Sequence, residues 1–457
     1  YSSFDRSKEP AKGKSPDLKL PTIWTDSLDN GLKIYAIEQN ELPMVNFSMT
    51  IQGGMLLENQ GKIGVSNLLA QLMKEGTKNK TPEELEEELD LLGSTVSISS
   101  GKESINISGN TLSRNYGKTI ALVKEMLLEP RWDANEFAKI KEKTINAIRE
   151  SGSNPDAIAR KAFTKIIFKD TILANQPAGT INSVQAITLD DLKDYYNKNL
   201  SPSLANFHVA GDVSKTEIKN SIDSLNKDWL KKDVKLPEIN LSANTQTPKL
   251  YFVDLPKAKQ SVIQVGGIAL SQKDSDFYPA TFTNYKLGGN FSSNLNIILR
   301  EEKGYTYGAR SAFSGSRFKG PFIATSSVRT NSTADSVKIF KEEIENYHNK
   351  VNADDLEFTK NSLIKANALR FESLGALISM LQNISTYDLP LDYIKREENI
   401  SKSLTLADVK QVTEKYIKPQ EMNYLVVGDA ETQLAQLKNL GLGEPILLDV
   451  EGNPIKK

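Results

Sequence analysis

One pattern of residues occurs twice in this chain of 457 residues, and the repeat limits the possible folds more than any other feature. Three segments of the first half match three segments of the second half in the same order. The offset is 217 residues for two of the matches and 219 residues for the third. The matched pairs are 187–193 with 404–410, 206–212 with 423–429, and 133–137 with 352–356. Two large copies indicate a tandem pair of domains, because a solenoid is built from many short repeats.

Each copy combines strand patterns with helix patterns. Residues 31–37 and 44–51 alternate apolar and polar side chains, as strands do, whereas 64–75 place apolar side chains on one helical face. We therefore predict an α+β protein with two tandem homologous α/β domains, each a mainly antiparallel sheet packed by helices that buries its own core. The predicted parts are a flexible leader 1–17, an N-terminal domain 18–232, a linker 233–249, a C-terminal domain 250–442 and a tail 443–457.

Charge and composition exclude several classes of function. The formal net charge is −1, so we expect no nucleic-acid surface, and no apolar run is long enough for a transmembrane segment. The sequence has no Cys, which excludes disulfides and sulfur metal ligands. Its two histidines, His208 and His348, are too far apart in the sequence to form a metal motif on one helix. His208 lies in an apolar strand where the second copy has Leu425, so we expect a hydrogen-bonded core histidine.

The stretch 286–310 is the strongest candidate for chemistry. It contains a glycine-rich turn, a short helical pattern and a predicted strand, with Arg300 at the end of the helix and Tyr307 farther along. Arg donates through a rigid, permanently charged fork and Tyr donates one directed hydrogen bond, so the two suit a polarised carbonyl group. The alternative is structural: an Arg paired with Glu301 or Glu302 and a Tyr packed in a strand. Spacing alone leaves both interpretations open.

Several short motifs, taken together, resemble those of the pitrilysin-like zinc peptidases, in particular the two-domain subunits of the mitochondrial processing peptidase type. The resemblance covers about 18–442. Its motifs are Asn-Gly-Leu at 30–32, Gly-Gly at 53–54 before a helix, Glu-Gly-Thr at 75–77, Asn-Pro at 154–155 and Gly-Asp at 211–212. The duplicated domain belongs to the same set of features.

The sequence departs from this family at the zinc motif. Active members carry His-x-x-Glu-His on the helix after the Gly-Gly turn, where this chain has Asn67 and Gln71 in place of the histidines and Ala70 in place of the Glu. The family's third ligand, a Glu, is expected at 146–148, where the residues are Asn, Ala and Ile, while Glu142 and Glu150 are expected on other turns of that helix. Neutral amides and a methyl group cannot hold zinc or accept a proton from water. We therefore predict no metal site, no cofactor and no peptidase activity for this chain alone.

The resemblance also implies a role for the Arg and the Tyr. Similar enzymes place such a pair on a domain that faces the zinc, where it binds the substrate main chain and polarises the scissile carbonyl. Arg300 and Tyr307 match that pair in sequence and spacing. Tyr305 is a competing candidate, because alternation along a strand would put it on the same face as Tyr307.

These implications lead to one main hypothesis and two alternatives. The chain is expected to be the non-zinc subunit of a heterodimeric metallopeptidase, with a homologous zinc-bearing partner that has His-x-x-Glu-His and with a peptide as substrate. The alternatives are a catalytically inert structural core-type subunit and a stand-alone peptide-binding protein. The resemblance to exported bacterial chains favours the periplasm, with the cytoplasm as the alternative. The sequence does not specify the substrate or the cleavage preference.

Overall fold

The computed structural model describes residues 7–8, 18–241, 248–367 and 369–455. Apart from residues 7 and 8, the predicted leader 1–17 lies outside the described residues, and so do residues 242–247 of the predicted linker. The strands of the first half are β1 (Trp24–Ser27), β2 (Lys33–Glu38), β3 (Met44–Gln52), β4 (Thr95–Ser100), β5 (Ser104–Leu112) and β6 (Ala205–Gly211). The strands of the second half are β7 (Lys249–Asp254), β8 (Gln260–Ile268), β9 (Ala309–Phe313), β10 (Pro321–Arg329), β11 (Asn423–Gly428) and β12 (Ile446–Leu448).

The two halves form two six-stranded sheets with the same internal order. Five strands run β2-β6-β3-β5-β4 in the first sheet, and their counterparts run β7-β11-β8-β10-β9 in the second sheet. Within each set of five, one pair is parallel, β2 with β6 or β7 with β11, and the other pairs are antiparallel. This arrangement confirms the predicted fold class of two homologous domains with mainly antiparallel sheets.

The sixth strand differs between the sheets. In the first sheet, β1 precedes the repeat and pairs with β2 in antiparallel fashion. In the second sheet, β12 follows the repeat and pairs with β7 in parallel fashion. The segment 443–457, predicted as a tail, therefore contributes a strand to the second sheet.

Helices connect and cover the strands. In the first half they are α1 (Val65–Leu72), α2 (Pro82–Leu91), α3 (Tyr116–Leu128), α4 (Ala134–Ser151), α5 (Pro155–Phe168), α6 (Ile181–Ala186), α7 (Leu189–Asn199) and α8 (Lys215–Asp228). In the second half they are α9 (Phe277–Asn284), α10 (Asn294–Asn296), α11 (Thr333–Lys350), α12 (Ala353–Asn367), α13 (Leu374–Tyr387), α14 (Tyr393–Ser403), α15 (Leu406–Tyr416) and α16 (Ala430–Leu437). Within the described ranges, no helix has both the length and the apolar character needed to cross a bilayer.

The repeated sequence produces the same local hydrogen bonds in both copies. Thr188 begins α7 by accepting a hydrogen bond from the backbone N–H of Asp191, and the Asp191 carboxylate accepts one from the Thr188 backbone in return. Thr405 and Asp408 make the same capping box at the start of α15. Such a cap satisfies N–H groups that a helix leaves without partners, so the residues matched at the offset of 217 have the same structural role in both copies.

One face of each sheet is covered by helices of its own half. In the first half, this core includes Leu68 of α1 and Phe207 of β6. In the second half, it includes Phe340 of α11 and Tyr424 of β11. For these two faces, each half buries its own core, as the repeat suggests.

The opposite face of each sheet is covered by a helix from the other half. Helix α5 packs on β8 and β11 of the second sheet, where Ile158 and Phe163 contact residues such as Val262 and Leu425. Helix α13 packs on β3 and β6 of the first sheet, where Leu377 is in the same apolar cluster as Ala210. The two halves therefore exchange equivalent helices, and the expectation of self-contained cores accounts for only one face of each sheet.

A buried histidine lies at one of these crossed contacts. His208 of β6 is 0% exposed, and its Nδ1 lies 3.0 Å from the carbonyl oxygen of Ser48. Its Nε2 lies 2.6 Å from the hydroxyl of Ser385, which belongs to the exchanged helix α13. Burial lowers the pKa of His208 from 6.5 to about 4. The expected hydrogen-bonded core histidine is confirmed, and it also links the two halves.

Because of His208, we expect the folded protein to lose stability in mild acid. The unfolded chain binds a proton at His208 below about pH 6.5, whereas the folded chain does so only near pH 4. The free energy of unfolding therefore has its full contribution from His208 above about pH 6.5. It loses this contribution as the pH falls from 6.5 to about 4, by a total on the order of 3 kcal/mol. Urea unfolding at a series of pH values should show this component in the wild type and not in His208→Leu, which copies the second repeat. The matched control His348→Gln should retain it, and an equal slope in His208→Leu would contradict the assignment.

Candidate functional site

A cleft of about 560 Å³ lies where α5 of the first half meets the second sheet. Asp156 lines it from the first turn of α5. The second half contributes residues 288–291, the segment 306–310 and residues 325–327 of β10. Tyr307 is among the lining residues, so the cleft contains one of the two residues that the sequence singles out.

The segment before Tyr307 differs from the predicted turn, short helix and strand. The glycine-rich turn is a single π-helical turn, Tyr285–Gly289, and α10 continues into another π-helical turn, Ile297–Glu302. Strand β9 begins only at Ala309, so Tyr307 lies in a loop and the predicted strand position for it is wrong. Gly288 permits this arrangement, because a Cβ there would lie 2.2 Å from the hydroxyl oxygen of Ser311.

The loop around Tyr307 is held on both sides by hydrogen bonds. The Thr306 hydroxyl donates to the carbonyl of Ser327 at 2.7 Å, and the N–H of Gly308 donates to the Thr306 hydroxyl at 3.1 Å. The N–H of Ala309 donates to the side chain of the buried Asn296 at 3.1 Å. Because its neighbours are fixed in this way, Tyr307 projects from a well-defined backbone.

The two tyrosines of this loop have different surroundings. The Tyr305 hydroxyl donates to Asp335 at 2.7 Å, and its ring packs against the core of the second half. Tyr307 is 93% exposed, so its hydroxyl is available to a ligand. The argument that both tyrosines share one face of a strand is therefore wrong, because neither lies in a strand.

Arg300 lies at the edge of the same site. Its guanidinium is 4.4 Å from the ring centre of Phe291, a cleft-lining residue, which is a cation–π distance. Its Nε is 3.4 Å from a carboxylate oxygen of Glu301, and both side chains are partly exposed. An exposed pair of this kind contributes little to stability. Arg300 thus lies near Glu301, as the structural alternative expects, and it also contacts Phe291 of the cleft. Tyr307 is not packed in a strand, so that part of the structural alternative is wrong.

Three further residues shape the cleft and were not singled out from the sequence. Asp156 accepts a hydrogen bond from the Ser327 hydroxyl at 3.3 Å, which joins α5 to β10. Thr306 and Asn296 fix the loop backbone. Their sequence signal is weak, because a single Thr or Asn in a turn region is common and its partners lie far away in the chain.

The degenerate zinc positions lie on α1 in the first half. Ala70 is 1% exposed, and Asn67 and Gln71 are half-buried. Glu58 holds the start of this helix by accepting hydrogen bonds from the N–H groups of Gly64 and Ser66. Burial raises the pKa of Glu58, while these donors favour its charged form. The helix is therefore firmly placed although its side chains are not those of a metal site.

Helix α4 faces these positions with neutral groups. The Gln71 side-chain amide donates to the hydroxyl of Thr144 at 3.3 Å. Glu142 and Glu150 of α4 are exposed to solvent, as expected for other turns of the helix. In the described part of the chain, no group of three or more His, Asp or Glu side chains is placed to hold a metal ion. An amide, a methyl group and a hydroxyl do not fit a zinc ion.

Two family descriptions match adjacent parts of the chain. Residues 34–181 match the family described as Insulinase (Peptidase family M16), and residues 186–363 match the Peptidase M16 inactive domain. The boundary between the two matches lies at α6, inside the first half of the chain. The first contains the degenerate zinc positions, and the second contains Arg300 and Tyr307.

Relatives and solved structures agree with this assignment. A Helicobacter pylori protein named as the non-peptidase homolog YmxG is 25% identical over 398 residues, covering 86% of this chain and 90% of the relative. The mitochondrial-processing peptidase subunit beta of Saccharomyces cerevisiae is 24% identical over 181 residues, covering 40% of this chain and 39% of that subunit. A solved peptidase M16 inactive domain from Pseudomonas fluorescens has a TM-score of 0.83 at 22% identity, covering 89% of this chain and 98% of that one. This last likeness concerns the fold alone.

Proposed function

Because this chain belongs to peptidase family M16, the pitrilysin-like peptidases, we propose that it is the non-zinc subunit of a heterodimeric metallopeptidase. Its partner would be a homologous subunit that carries His-x-x-Glu-His and the zinc. The observation that supports this most directly is Tyr307, which is 93% exposed in a cleft although the loop on either side of it is fixed. A binding group held on a rigid backbone is what precise substrate contact requires.

The cleft offers donors that suit a peptide backbone. A tyrosine hydroxyl can donate one hydrogen bond to a carbonyl oxygen, and an arginine can donate several from a fixed plane. The Arg300 guanidinium lies over Phe291 with its Nε near Glu301, so its two Nη groups are the donors proposed to meet a ligand. In this proposal, Arg300 binds the substrate main chain and Tyr307 polarises the scissile carbonyl, while zinc and the general base belong to the partner.

The helix α1 explains why a partner is needed. Ala70 has no carboxylate to accept a proton, and Gln71 already donates to Thr144. The name of one relative describes it as a subunit of a processing peptidase, which supports an assembly with another chain. The net charge of −1 gives no single-sign field for attraction, so the interface is expected to depend on shape and apolar contact.

Association is the first test of this proposal. This chain and a zinc-bearing homologue from the same organism should form a stable one-to-one complex, observed by sedimentation velocity at micromolar concentration. Stable complexes of this type bury at least about 1,200 Å² of surface. The same experiment with each chain alone is the control. Two chains that sediment independently at all concentrations would count against the heterodimer.

A further inference from the structure

A second cavity, of about 720 Å³, lies between helices of the second half and is separate from the Tyr307 cleft. Helices α9, α12, α13 and α14 all contribute lining residues. The lining is largely apolar and aromatic, and its volume falls in the range of small-molecule sites. The main apolar contributors are Phe277, Tyr278, Leu363, Leu389, Tyr393 and Ile400.

One carboxylate lies inside this apolar lining. Glu397 of α14 has 20% of its side chain exposed, and among the described residues its recorded partner is Arg370. The Arg370 Nη1 is 3.5 Å from Glu397 Oε2, which is longer than the roughly 2.7–2.9 Å of a good charge-assisted hydrogen bond. Arg370 is itself 42% exposed, so much of its charge is hydrated. Glu397 is therefore a largely buried acid with spare acceptor capacity.

Three other charged groups line the cavity besides Arg370 and Glu397, and of these Asp274 accepts a hydrogen bond from the N–H of Asp276 at 3.0 Å. Lys273 pairs with Asp388, and Arg396 pairs with Asp392 at 2.8 Å. Two tyrosines line the same cavity: the Tyr278 hydroxyl contacts the hydroxyl of Ser401 at 2.6 Å, and the Tyr393 hydroxyl accepts a hydrogen bond from Asn383 at 3.4 Å. Of the two carboxylates that line the cavity, Glu397 has the longer hydrogen bond, at 3.5 Å against 3.0 Å for Asp274, so it has more to gain from a ligand.

We propose that this cavity binds a small amphipathic ligand whose apolar body contacts the helices and whose protonated amine pairs with Glu397. A buried carboxylate without a close partner is costly, and an ammonium group placed beside it would restore the missing hydrogen bonds. Burial raises the pKa of Glu397 to about 7, which is the response expected of an acid in this position. The inference does not depend on the proposed peptidase role, because no residue of the Tyr307 cleft takes part.

The pH dependence of binding follows from the same groups. Glu397 loses its proton as the pH rises through about 7, while an alkylamine remains protonated. Burial raises the pKa of Tyr278 and Tyr393, so neither ionises in this range. The remaining charged groups that face the cavity are Arg370, Lys273, Asp274 and Arg396. Amine binding should therefore strengthen between pH 6 and pH 8.

Three probes with the same eight-carbon chain test the proposal by calorimetry on the full chain: n-octylamine, n-octanol and n-octanoate. Octylamine should bind roughly ten- to a hundredfold more tightly than octanol at pH 8, as one charged hydrogen bond predicts. Glu397→Gln should remove this advantage and leave octanol binding unchanged. The exposed control Glu431→Gln should bind all three probes as the wild type does.

Arg370→Gln separates the amine from the opposite choice of ligand. If an amine is the ligand, loss of the competing guanidinium should leave octylamine binding equal or tighter, whereas a carboxylate ligand would lose its main contact. Tighter binding of octanoate than of octylamine, equal binding of all three probes, or no octylamine binding at millimolar concentration would each overturn the proposal. Circular dichroism melting of every variant shows whether the chain remains folded.

Discussion

Replacing Tyr307 with Phe is expected to lower peptide turnover by the reconstituted heterodimer by roughly a hundred- to a thousandfold, with little change in its melting temperature. The substitution removes only a hydroxyl that is exposed in the cleft, so no contact within the chain is lost. Charge develops on the scissile carbonyl oxygen as water attacks it, and a donor fixed at that point stabilises the transition state more than the ground state. The loss should therefore appear mainly in kcat.

Tyr305→Phe is the matched control, because it removes the neighbouring hydroxyl from a bond with Asp335 and not from the cleft. It should leave turnover nearly unchanged and cost a small amount of stability. Arg300→Ala should weaken substrate binding, since charged hydrogen bonds contribute about 1.5–3 kcal/mol each. Wild-type rates for both Tyr307→Phe and Arg300→Ala would return this loop to a purely structural role.

Replacing Phe163 with Ala is expected to lower the free energy of unfolding by about 3–5 kcal/mol, because the site cannot collapse around so large a deletion. Phe163 is 2% exposed and lies on α5, where it packs on the sheet of the other half. If the two halves were independent, a substitution on α5 would lower the stability of the first half alone. Because α5 covers the outer face of the second sheet, we expect both halves to lose stability together.

Urea unfolding followed by fluorescence and by amide hydrogen exchange in each sheet measures this effect. Phe291→Ala is a suitable control, since that residue is 66% exposed and such surface changes usually alter stability by less than about 0.5 kcal/mol. If amide protection were lost in the first sheet alone, the finding that α5 of the first half stabilises the second sheet would be contradicted.

Local signals within the repeat allowed part of the fold to be predicted from the sequence. Thr188 with Asp191 and Thr405 with Asp408 are local signals, so the helix starts and the duplicated domain follow from sequence. The exchange of α5 and α13 could not be predicted, because an amphipathic helix shows which side is apolar and not which sheet it will cover. The placement of β12 depended in the same way on a partner strand almost 200 residues away.

The candidate site, like the fold, could be predicted from the sequence only in part. Arg300 and Tyr307 were identified from their types and spacing, and the neutral residues at 67, 70 and 71 from the family resemblance. The choice between Tyr305 and Tyr307 required the loop conformation, which depends on Asn296 and on hydrogen bonds from Thr306 to a distant strand. The Gln71 bond to Thr144 likewise joins residues that no local pattern connects.

In the proposed function, this chain completes a peptidase that neither subunit forms alone. Steady-state cleavage of a fluorogenic peptide by this chain, by the zinc-bearing homologue and by their equimolar mixture tests it most directly. We expect background rates for each chain alone and a rate at least about a hundredfold higher for the mixture, abolished by a chelator and restored by zinc. A homologue that is equally active with and without this chain would contradict the proposed heterodimeric peptidase and favour an inert structural subunit.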